Sequence, residues 1–162
     1  MPITKPTIGQ DPWGVDLNAT LDQIGDLATS VQDAAYGATG NGVTNDTTAI
    51  QAAITAVSGA GGGVVYFPAG TYLCSPDVLA VPANVRIVGS GRKSTFLKKS
   101  GAGVLLSMSG PSTDDTGATH CRYSSLESIG LNGNSLSGAL LQLYYADNLT
   151  FRDVHCTSNA GV

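Results

Sequence analysis

The sequence predicts a mainly β solenoid, in which short strands stack as successive coils and a helix covers the first coil. Most of the chain consists of short apolar segments that each end at a turn residue. Two of these segments, 126–132 and 151–157, repeat the same apolar spacing in a fixed alignment. Only 12% of the 162 residues are charged, and 21 are glycine, which is typical of folds with many turns. Since one coil cannot bury its inner face alone, such repeats become stable by stacking.

The repeat aligns three apolar positions of one segment with three of the other. The aligned pairs are Leu126 with Phe151, Ile129 with Val154, and Leu131 with Cys156. The same alignment places Glu127 beside Arg152 and Ser128 beside Asp153. If the two segments lie in neighbouring coils, Glu127 and Arg152 form an exposed ion pair worth about 0–1 kcal/mol.

Further segments carry the β-branched and aromatic residues that favour strands, and turn residues bound each of them. We predict strands within 64–73, 84–91, 94–100, 103–110 and 140–149. The turn Pro68-Ala69-Gly70 divides the first segment into two strands. Together these strands supply about three coils, the number that a repeat protein needs for stability.

The predicted helix follows a loop in the stretch YGATGNGVTNDTTAIQAAI, residues 36–54. Apolar residues recur there at helical spacing, at Ala49, Ile50, Ala53, Ile54 and Val57. Asp46 or Thr47 is placed to cap the N-terminus of this helix, and Gly59 is placed to end it. We expect the helix to cap the solenoid, because its apolar stripe can cover the exposed end of the first coil.

The loop before the helix is interpreted as structural. It contains no Lys, Arg, His or Cys, and Asp46 is its only acid. Gly37, Gly40 and Gly42 are suited to backbone turns with positive φ, which other residues rarely adopt. We therefore predict no ligand for this loop.

The first 35 residues are predicted to form a separate attachment region, with the solenoid occupying residues 36–162. Residues 1–12 contain three prolines and no periodicity, which indicates an extended arm. A narrow apolar seam with heptad spacing follows, at Leu17, Leu21, Ile24, Ala28, Val31 and Ala35. This seam predicts a short coiled coil and self-association. The alternative is a lone helix packed on its own domain.

Composition excludes several functions. A net charge of −4 and a pI of about 4.8 argue against a nucleic-acid surface, which needs clustered Lys and Arg. No apolar run approaches the length of a membrane span, and the N-terminus lacks the apolar core of a signal peptide. The odd number of cysteines, Cys74, Cys121 and Cys156, predicts reduced and buried thiols in place of a disulfide framework.

Two motifs that resemble binding sites are interpreted as structural. VGSGRKST, residues 88–95, departs from the phosphate-binding loop because Arg92 replaces its second glycine and a strand follows it. The dipeptides His120-Cys121 and His155-Cys156 are too far apart for a compact zinc site. Adjacent strand residues also point to opposite faces, so one dipeptide cannot supply both ligands.

The acidic residues also give no clear catalytic pair. Asp114 and Asp115 lie in a polar loop and are expected to be solvated. An outer-face groove containing Glu127, Asp153 and His155 remains an alternative to a simple solvated surface. We therefore predict no catalytic residue, no cofactor and no metal ligand within this chain.

The order of elements resembles a known family. YGATGNGVTNDTTAIQAAI followed by GGGVVYFPAGTYL, residues 61–73, is similar to the N-terminal signature of right-handed parallel β-helix proteins of the pectate-lyase-like group. That group includes rhamnogalacturonan- and polygalacturonan-acting enzymes and bacteriophage tailspikes. The resemblance implies a right-handed parallel β-helix. No catalytic motif of the group is matched, so no catalytic residue is transferred.

The segment DPWGVDLNATLDQI, residues 11–24, resembles the virion-attachment end of phage tail proteins. This resemblance implies the N-terminal part of a homotrimeric tailspike or tail fibre, made in the host cytoplasm and located in the virion. The implied partners are other tail or baseplate proteins and a host cell-surface polysaccharide, with any glycan degradation lying beyond this chain. The alternatives are a monomeric polysaccharide lyase or glycoside hydrolase, and a purely structural tail protein.

Overall fold

The computed structural model describes residues 28–75, 78–110 and 120–157. Within these ranges, parallel strands dominate and a single α-helix, α1 (Thr47–Gly59), lies between the second and third strands. The strands are β1 (Thr29–Ser30), β2 (Asn41–Asn45), β3 (Gly63–Phe67), β4 (Gly70–Cys74), β5 (Leu79–Ala80), β6 (Val85–Gly89), β7 (Thr95–Lys99), β8 (Leu106–Ser109), β9 (Cys121–Arg122), β10 (Ser125–Asn132), β11 (Leu141–Tyr144), β12 (Ala146–Asp147) and β13 (Thr150–Thr157).

Every strand pair in the described ranges is parallel, and the largest sheet curls. Its strands follow the order β1-β3-β6-β10-β7-β4-β2, and β13 pairs with β10. The first half of β10 pairs with β6 and its second half with β7, so the sheet turns a corner within β10. Two smaller sheets, β11-β8-β5 and β12-β9, complete the coils. This curled parallel arrangement is consistent with a parallel β-helix.

The predicted strands and the repeat are confirmed. Strands β6, β7, β8 and β11 fall inside the predicted segments, and β3 and β4 each extend one residue beyond the segment 64–73. Strands β10 and β13 pair along their length with Leu126 opposite Phe151 and Leu131 opposite Cys156, which is the predicted alignment. The short strands β1, β2, β5 and β9 were not predicted, because so few residues carry too little periodicity to be distinguished from loops.

Helix α1 is present where the sequence predicts a helix, and its stripe of Ile50, Ala53, Ile54 and Val57 is buried. The expected cap is wrong in detail, because the Asp46 side chain makes no capping hydrogen bond to the helix. The side chain of Asn45 serves instead: its Oδ1 accepts hydrogen bonds from the Thr47 backbone N–H at 3.1 Å and the Thr47 hydroxyl at 2.6 Å.

The side chain of Asp46 organises the preceding loop. Its carboxylate is buried and accepts hydrogen bonds from the Thr39 backbone N–H at 2.7 Å, the Thr39 hydroxyl at 3.0 Å and the Gly40 N–H at 3.1 Å. Gly37, Gly40 and Gly42 have φ values of 76°, 62° and 75°. The interpretation of this loop as architecture with positive-φ glycines is confirmed in its backbone.

Residues 28–35 are not helical, so that part of the predicted seam is wrong. Thr29–Ser30 forms β1 and pairs with β3, and a turn follows. Val31 is fully buried in the core of its own chain, whereas Ala35 lies exposed in the turn. This stretch therefore forms a short strand and a turn that pack against the sheet, and the predicted helix is absent from it. The remaining seam positions, Leu17, Leu21 and Ile24, lie outside the described residues.

The core runs between the curled sheet, the smaller sheets and α1. Large side chains such as Phe67, Tyr72 and Leu97 are fully or almost fully buried. Cys74 and Cys121 are buried as predicted, while Cys156 is exposed, so the prediction for the third cysteine is wrong. Burial raises the pKa of the Cys74 thiol to about 12, so this thiol is protonated at neutral pH. Across the described ranges, no helix has the length and apolar character needed to cross a membrane.

Candidate functional site

A polar groove of about 330 Å³ lies on the outer face of the coils, where β6, β10 and β13 stack side by side. Alternation along the strands produces this face, because neighbouring residues such as Ile87 and Leu126 point into the core. The register aligns Ser125 with both Arg86 and Thr150, and it aligns Glu127 with Arg152. The outward side chains of three successive coils therefore form the floor of one groove.

The central acid of the groove is Glu127. Its Oε1 accepts a hydrogen bond from the Ser125 hydroxyl at 2.8 Å and one from the Arg86 guanidinium Nη2 at 2.9 Å. These two hydrogen bonds, from Ser125 first and Arg86 second, lower the pKa of Glu127, and the positive charge of Arg152 lowers it further. The carboxylate is therefore ionised at neutral pH and holds the Arg86 guanidinium in place.

The predicted alignment of Glu127 with Arg152 is confirmed, but the predicted ion pair between them is wrong. The two residues are aligned across β10 and β13, but the carboxylate forms its ion pair with Arg86. Arg152 lines the same groove, so its charge remains next to the ion pair. With Arg86 and Arg152 against one carboxylate, the three ionised side chains carry a net positive charge.

Tyr123 and Asn148 stand at the rim of the groove, and both lie just before a strand. Tyr123 has 64% of its surface exposed. An exposed aromatic ring beside fixed charges is suited to contact a ligand with both an apolar face and polar groups. The groove thus offers two guanidinium groups, one carboxylate, hydroxyl groups and one aromatic ring.

A second polar cluster lies at the junction of β9 and β12. His120 Nδ1 is 2.7 Å from Asp147 Oδ2, and Arg122 Nε lies 3.3 Å from the same oxygen. The hydrogen bond from His120 is the main cause of a lowered pKa of Asp147, and Arg122 also lowers it. The Tyr145 ring lies 6.0 Å from the His120 ring. These contacts join two coils outside the lining of the groove.

The remaining candidates from the sequence do not join the groove. Asp153 forms an ion pair with Arg92 at 3.0 Å, and His155 is aligned with Gly130 further along β13. Asp114 and Asp115 lie outside the described residues. The segment 88–95 ends β6 and leads through a turn into strand β7, as expected for a coil of the solenoid. Within the described ranges, no group of three His, Cys, Asp or Glu residues is close enough to hold a metal ion.

Arg86 and Tyr123 were missed as groove residues by sequence reasoning. Arg86 belongs to the groove because β6 stacks on β10 with Arg86 opposite Ser125, and Tyr123 lines it from the turn that precedes β10. The detected repeat relates β10 to β13, and the separation along the chain between β6 and β10 is longer, so a single period could not align the earlier coil. Searching the outward positions of each strand separately would have found Arg86.

A larger depression, of about 640 Å³, lies along the outward side of α1. Its lining consists of Thr, Gln, Ala and Val side chains, including Gln51 and Val78. Gln51 is already engaged, because its amide bonds the backbone of Ala80 in both directions, at 3.1 and 2.9 Å. No charged group lies among these lining residues, so the smaller groove is the stronger candidate for specific recognition.

Relatives of the chain include enzymes, a phage protein and an adhesin. Mannuronan C5-epimerase AlgE1 of Azotobacter vinelandii is 49% identical over 69 residues, covering 39% of this chain and 5% of that protein. ORF18 of Geobacillus virus E2 superimposes with a TM-score of 0.73 and 25% identity, covering 92% of this chain and 29% of that chain. PfbA, a surface adhesin of Streptococcus pneumoniae, gives a TM-score of 0.62 and 29% identity, covering 80% of this chain and 33% of that chain.

The chain therefore spans only a small part of the length of each of these relatives. A family match extends further along the chain, from residue 28 to residue 156, and includes nearly all of each strand of the groove. The resemblance seen in the sequence is confirmed: the chain belongs to the rhamnogalacturonase A/epimerase, pectate lyase-like family.

Proposed function

We propose that this chain binds an acidic polysaccharide on the outer face of its stacked coils, as part of a phage tail protein that recognises a host surface. The observation that carries the proposal is the row of outward side chains formed by Arg86, Glu127 and Arg152. The groove runs across successive coils, so a linear glycan can contact several of them at once.

The charges of the groove favour a carboxylated sugar. Glu127 fixes Arg86 through an ion pair, while Arg152 adds a second positive charge beside it. A guanidinium group can donate two parallel hydrogen bonds to one carboxylate. Thr150 lies opposite Ser125 and is exposed in the groove, where its hydroxyl can meet a sugar hydroxyl. The Ser125 hydroxyl is buried and donates to Glu127.

The relatives support both parts of the proposal. The Azotobacter enzyme is named for mannuronan, which is an acidic polysaccharide, and its similar region covers 39% of this chain. The structural likeness to a protein of Geobacillus virus E2 supports a phage origin. The groove lining contains one carboxylate, Glu127, whereas glycoside hydrolysis usually requires a pair. Binding is therefore the function that these residues support best.

The test is a titration of the chain with polymannuronate and polygalacturonate oligomers, with neutral dextran as the comparison. We expect micromolar to millimolar binding of the acidic oligomers and none of dextran. Arg152→Gln should weaken this binding by about tenfold or more, since hydrogen bonds to charged groups contribute about 1.5–3 kcal/mol. Arg92→Gln is the matched control, because Arg92 is engaged with Asp153 outside the groove and its loss should leave affinity unchanged.

Two results would contradict the proposal. One is binding of dextran as tightly as of the acidic oligomers, which would remove the role of charge. The other is an equal effect of the Arg92→Gln and Arg152→Gln variants, which would indicate non-specific attraction to surface cations.

We further propose that the protein acts as a homotrimer in the virion, with residues 1–27 joining other tail or baseplate proteins and α1 capping a right-handed parallel β-helix. The apolar residues Leu17, Leu21 and Ile24 support association through the N-terminal region. The burial of Val31 in its own core excludes that residue from a seam between chains. Light scattering should give the mass of three chains, and deletion of residues 1–27 should reduce it. A monomer at micromolar concentration would contradict the trimer.

The second candidate is catalytic turnover of the same glycan, as a monomeric lyase, hydrolase or epimerase. The observation in its favour is the 49% identity to a region of an epimerase. Incubation with polymannuronate, followed by absorbance for unsaturated ends, a reducing-end assay and proton NMR of the C5 position, distinguishes these reactions from binding. A purely structural tail protein predicts neither binding nor turnover.

A further inference from the structure

Four successive coils of the sheet place a left-handed residue at the same turn. The register of β3 with β6 aligns Gly62 with Asn84, and the registers of β6, β10 and β13 align Asn84 with Tyr123 and Asn148. Their φ values are 113°, 62°, 56° and 54°. Backbone hydrogen bonds confirm the stacking, since the Gly63 N–H donates to Asn84 O and the Asn84 N–H donates to Arg122 O. The turn is thus a repeated feature of the coils.

Three of the four residues suit that backbone, and Tyr123 does not. Glycine has no Cβ to clash, and asparagine is the residue with a side chain that most readily adopts the left-handed region. A bulky residue with positive φ is an outlier that persists only where the surroundings impose it. The coil before Tyr123 and the coil after it both use Asn at this turn. Tyrosine therefore occupies the position against the local conformational preference.

Packing does not account for the tyrosine. Tyr123 is 64% exposed, so the ring buries little apolar surface. The other tyrosine with positive φ, Tyr145, has φ of 47° and contacts both His120 and Tyr144. Tyr123 has no such ring contact in the described ranges. Its ring instead stands at the groove that contains Arg86 and Arg152.

We propose that Tyr123 is the stacking residue of the groove, placed at a strained turn so that its ring faces one sugar unit of the bound glycan. The C–H groups of a pyranose ring form an apolar face that packs on an aromatic ring, while the equatorial substituents extend sideways. Arg86 and Arg152 line the same groove, so the carboxylate of a sugar bound there meets positively charged groups. The inference rests on the proposed function and adds to it the residue that positions the sugar ring.

Strain and recognition are then opposed at one residue, and this opposition is measurable. Replacing Tyr123 by Asn reproduces the neighbouring coils and should relieve the backbone, whereas it removes the ring from the groove. If tyrosine were retained for stability, Tyr123→Asn would lower the unfolding temperature. If the ring had no role in binding, Tyr123→Asn would leave the affinity for the glycan unchanged.

The experiment compares the full chain with Tyr123→Asn, Tyr123→Phe and Tyr145→Asn. Thermal unfolding gives Tm, and calorimetry with polymannuronate and polygalacturonate oligomers gives Kd. We expect Tyr123→Asn to raise Tm by about 2–4 °C, the shift that a modest stabilisation gives in a chain of this size. The same variant should raise Kd by about 3- to 10-fold, as the loss of one aromatic contact does. Tyr123→Phe keeps the ring and should keep both values near those of the parent chain.

Tyr145→Asn is the matched control, because it replaces a tyrosine of the same backbone class outside the groove. Its Kd should equal that of the parent chain. The inference is overturned if Tyr123→Asn binds as tightly as the parent, or if this variant unfolds at a lower temperature. If Arg152→Gln loses binding and Tyr123→Asn does not, only this inference fails. If the parent chain binds neither oligomer, the proposed function fails and this inference fails with it.

Discussion

Two carboxylates in this protein show how differently the interior and the outer face use a charge. Asp46 is almost completely buried and accepts hydrogen bonds from the backbone and hydroxyl of Thr39 and from the Gly40 N–H. Glu127 lies on the outer face and engages two side chains, Ser125 and Arg86, from strands of two different coils. The first carboxylate fixes the path of one loop. The second organises a surface.

Two cations show the same contrast. Lys99 is buried, and its ammonium group donates to the carbonyl oxygen of Gly103 and, at 2.7 Å, to that of Ser137. Arg152 lies on the outer face opposite Glu127. The two interior charges, Asp46 and Lys99, therefore bond mainly to backbone groups and are not available to a ligand. The outer-face charges act on other side chains, so their substitution should affect binding more than folding.

Asp46→Ala should produce the largest loss of stability. The substitution leaves the N–H groups of Thr39 and Gly40 without their acceptor. Both hydrogen bonds are partly buried, and hydrogen bonds to a charged group contribute about 1.5–3 kcal/mol each. The free energy of unfolding should therefore fall by about 3 kcal/mol or more. Urea denaturation followed by circular dichroism measures this change.

Asp33→Ala is the control for a carboxylate near the same loop. Asp33 is exposed and its side chain accepts a backbone hydrogen bond from Ser30 at 3.2 Å, so its loss should cost about 1 kcal/mol or less. Equal losses for the two variants would contradict the distinction between an interior and an exposed carboxylate.

Lys99→Met should have the next largest effect. The ammonium group joins the turn at Gly103 to the turn at Ser137 in the following coil, and methionine preserves most of the side-chain volume. Two carbonyl groups lose a charged donor, which should lower the free energy of unfolding by about 2 kcal/mol. Lys98→Met is the control, because Lys98 lies on the opposite side of β7 and is partly exposed. If Lys99→Met left the free energy of unfolding unchanged, methionine would stabilise this position as well as the ammonium group does.

Most of the fold could be predicted from the sequence, whereas the groove could be predicted only in part. Strand segments and the pairing of 126–132 with 151–157 follow from alternation and a visible repeat. The helix follows from its apolar stripe. The stretch 28–35 was misinterpreted because its alanines and valine fit heptad spacing equally well, and only the pairing of β1 with β3 distinguishes the two.

The partners of individual charges were beyond sequence reasoning. Glu127 was correctly aligned with Arg152, but its ion pair with Arg86 depends on an earlier coil that the visible repeat does not reach. Each strand between β6 and β10 has a paired counterpart in the next coil. The two coils are further apart along the chain because residues 110–120 separate β8 from β9, whereas one residue separates β11 from β12. This extra length hides the alignment of β6 with β10. The sequence also predicted the wrong role for Asp46. An aspartate directly before a helix can either cap the helix or anchor the preceding loop, and only the structure shows that its carboxylate bonds to the loop.

Glu127→Gln should have the smallest effect on stability, and that effect should depend on pH. The hydrogen bonds from Ser125 and Arg86 lower the pKa of Glu127 below its usual value of 4.5. A lowered pKa means that the folded state favours the ionised carboxylate, so its contribution is complete above the unfolded-state pKa and is lost as pH falls towards the folded-state pKa. At pH 7 the variant should lose less than about 1 kcal/mol, as for a surface ion pair.

The difference in unfolding free energy between the parent chain and Glu127→Gln should therefore be constant at pH values well above 4.5 and should shrink as the pH falls below that value. Arg86→Gln provides the control, because it removes the charged partner of Glu127. In the Arg86→Gln background, Glu127→Gln should therefore change the free energy of unfolding at pH 7 by a smaller amount. A difference that grows as the pH falls would have the wrong sign for a stabilised carboxylate. It would mean that Glu127 is held in its protonated form, and that Arg86 is free to face the groove without an internal counter-ion.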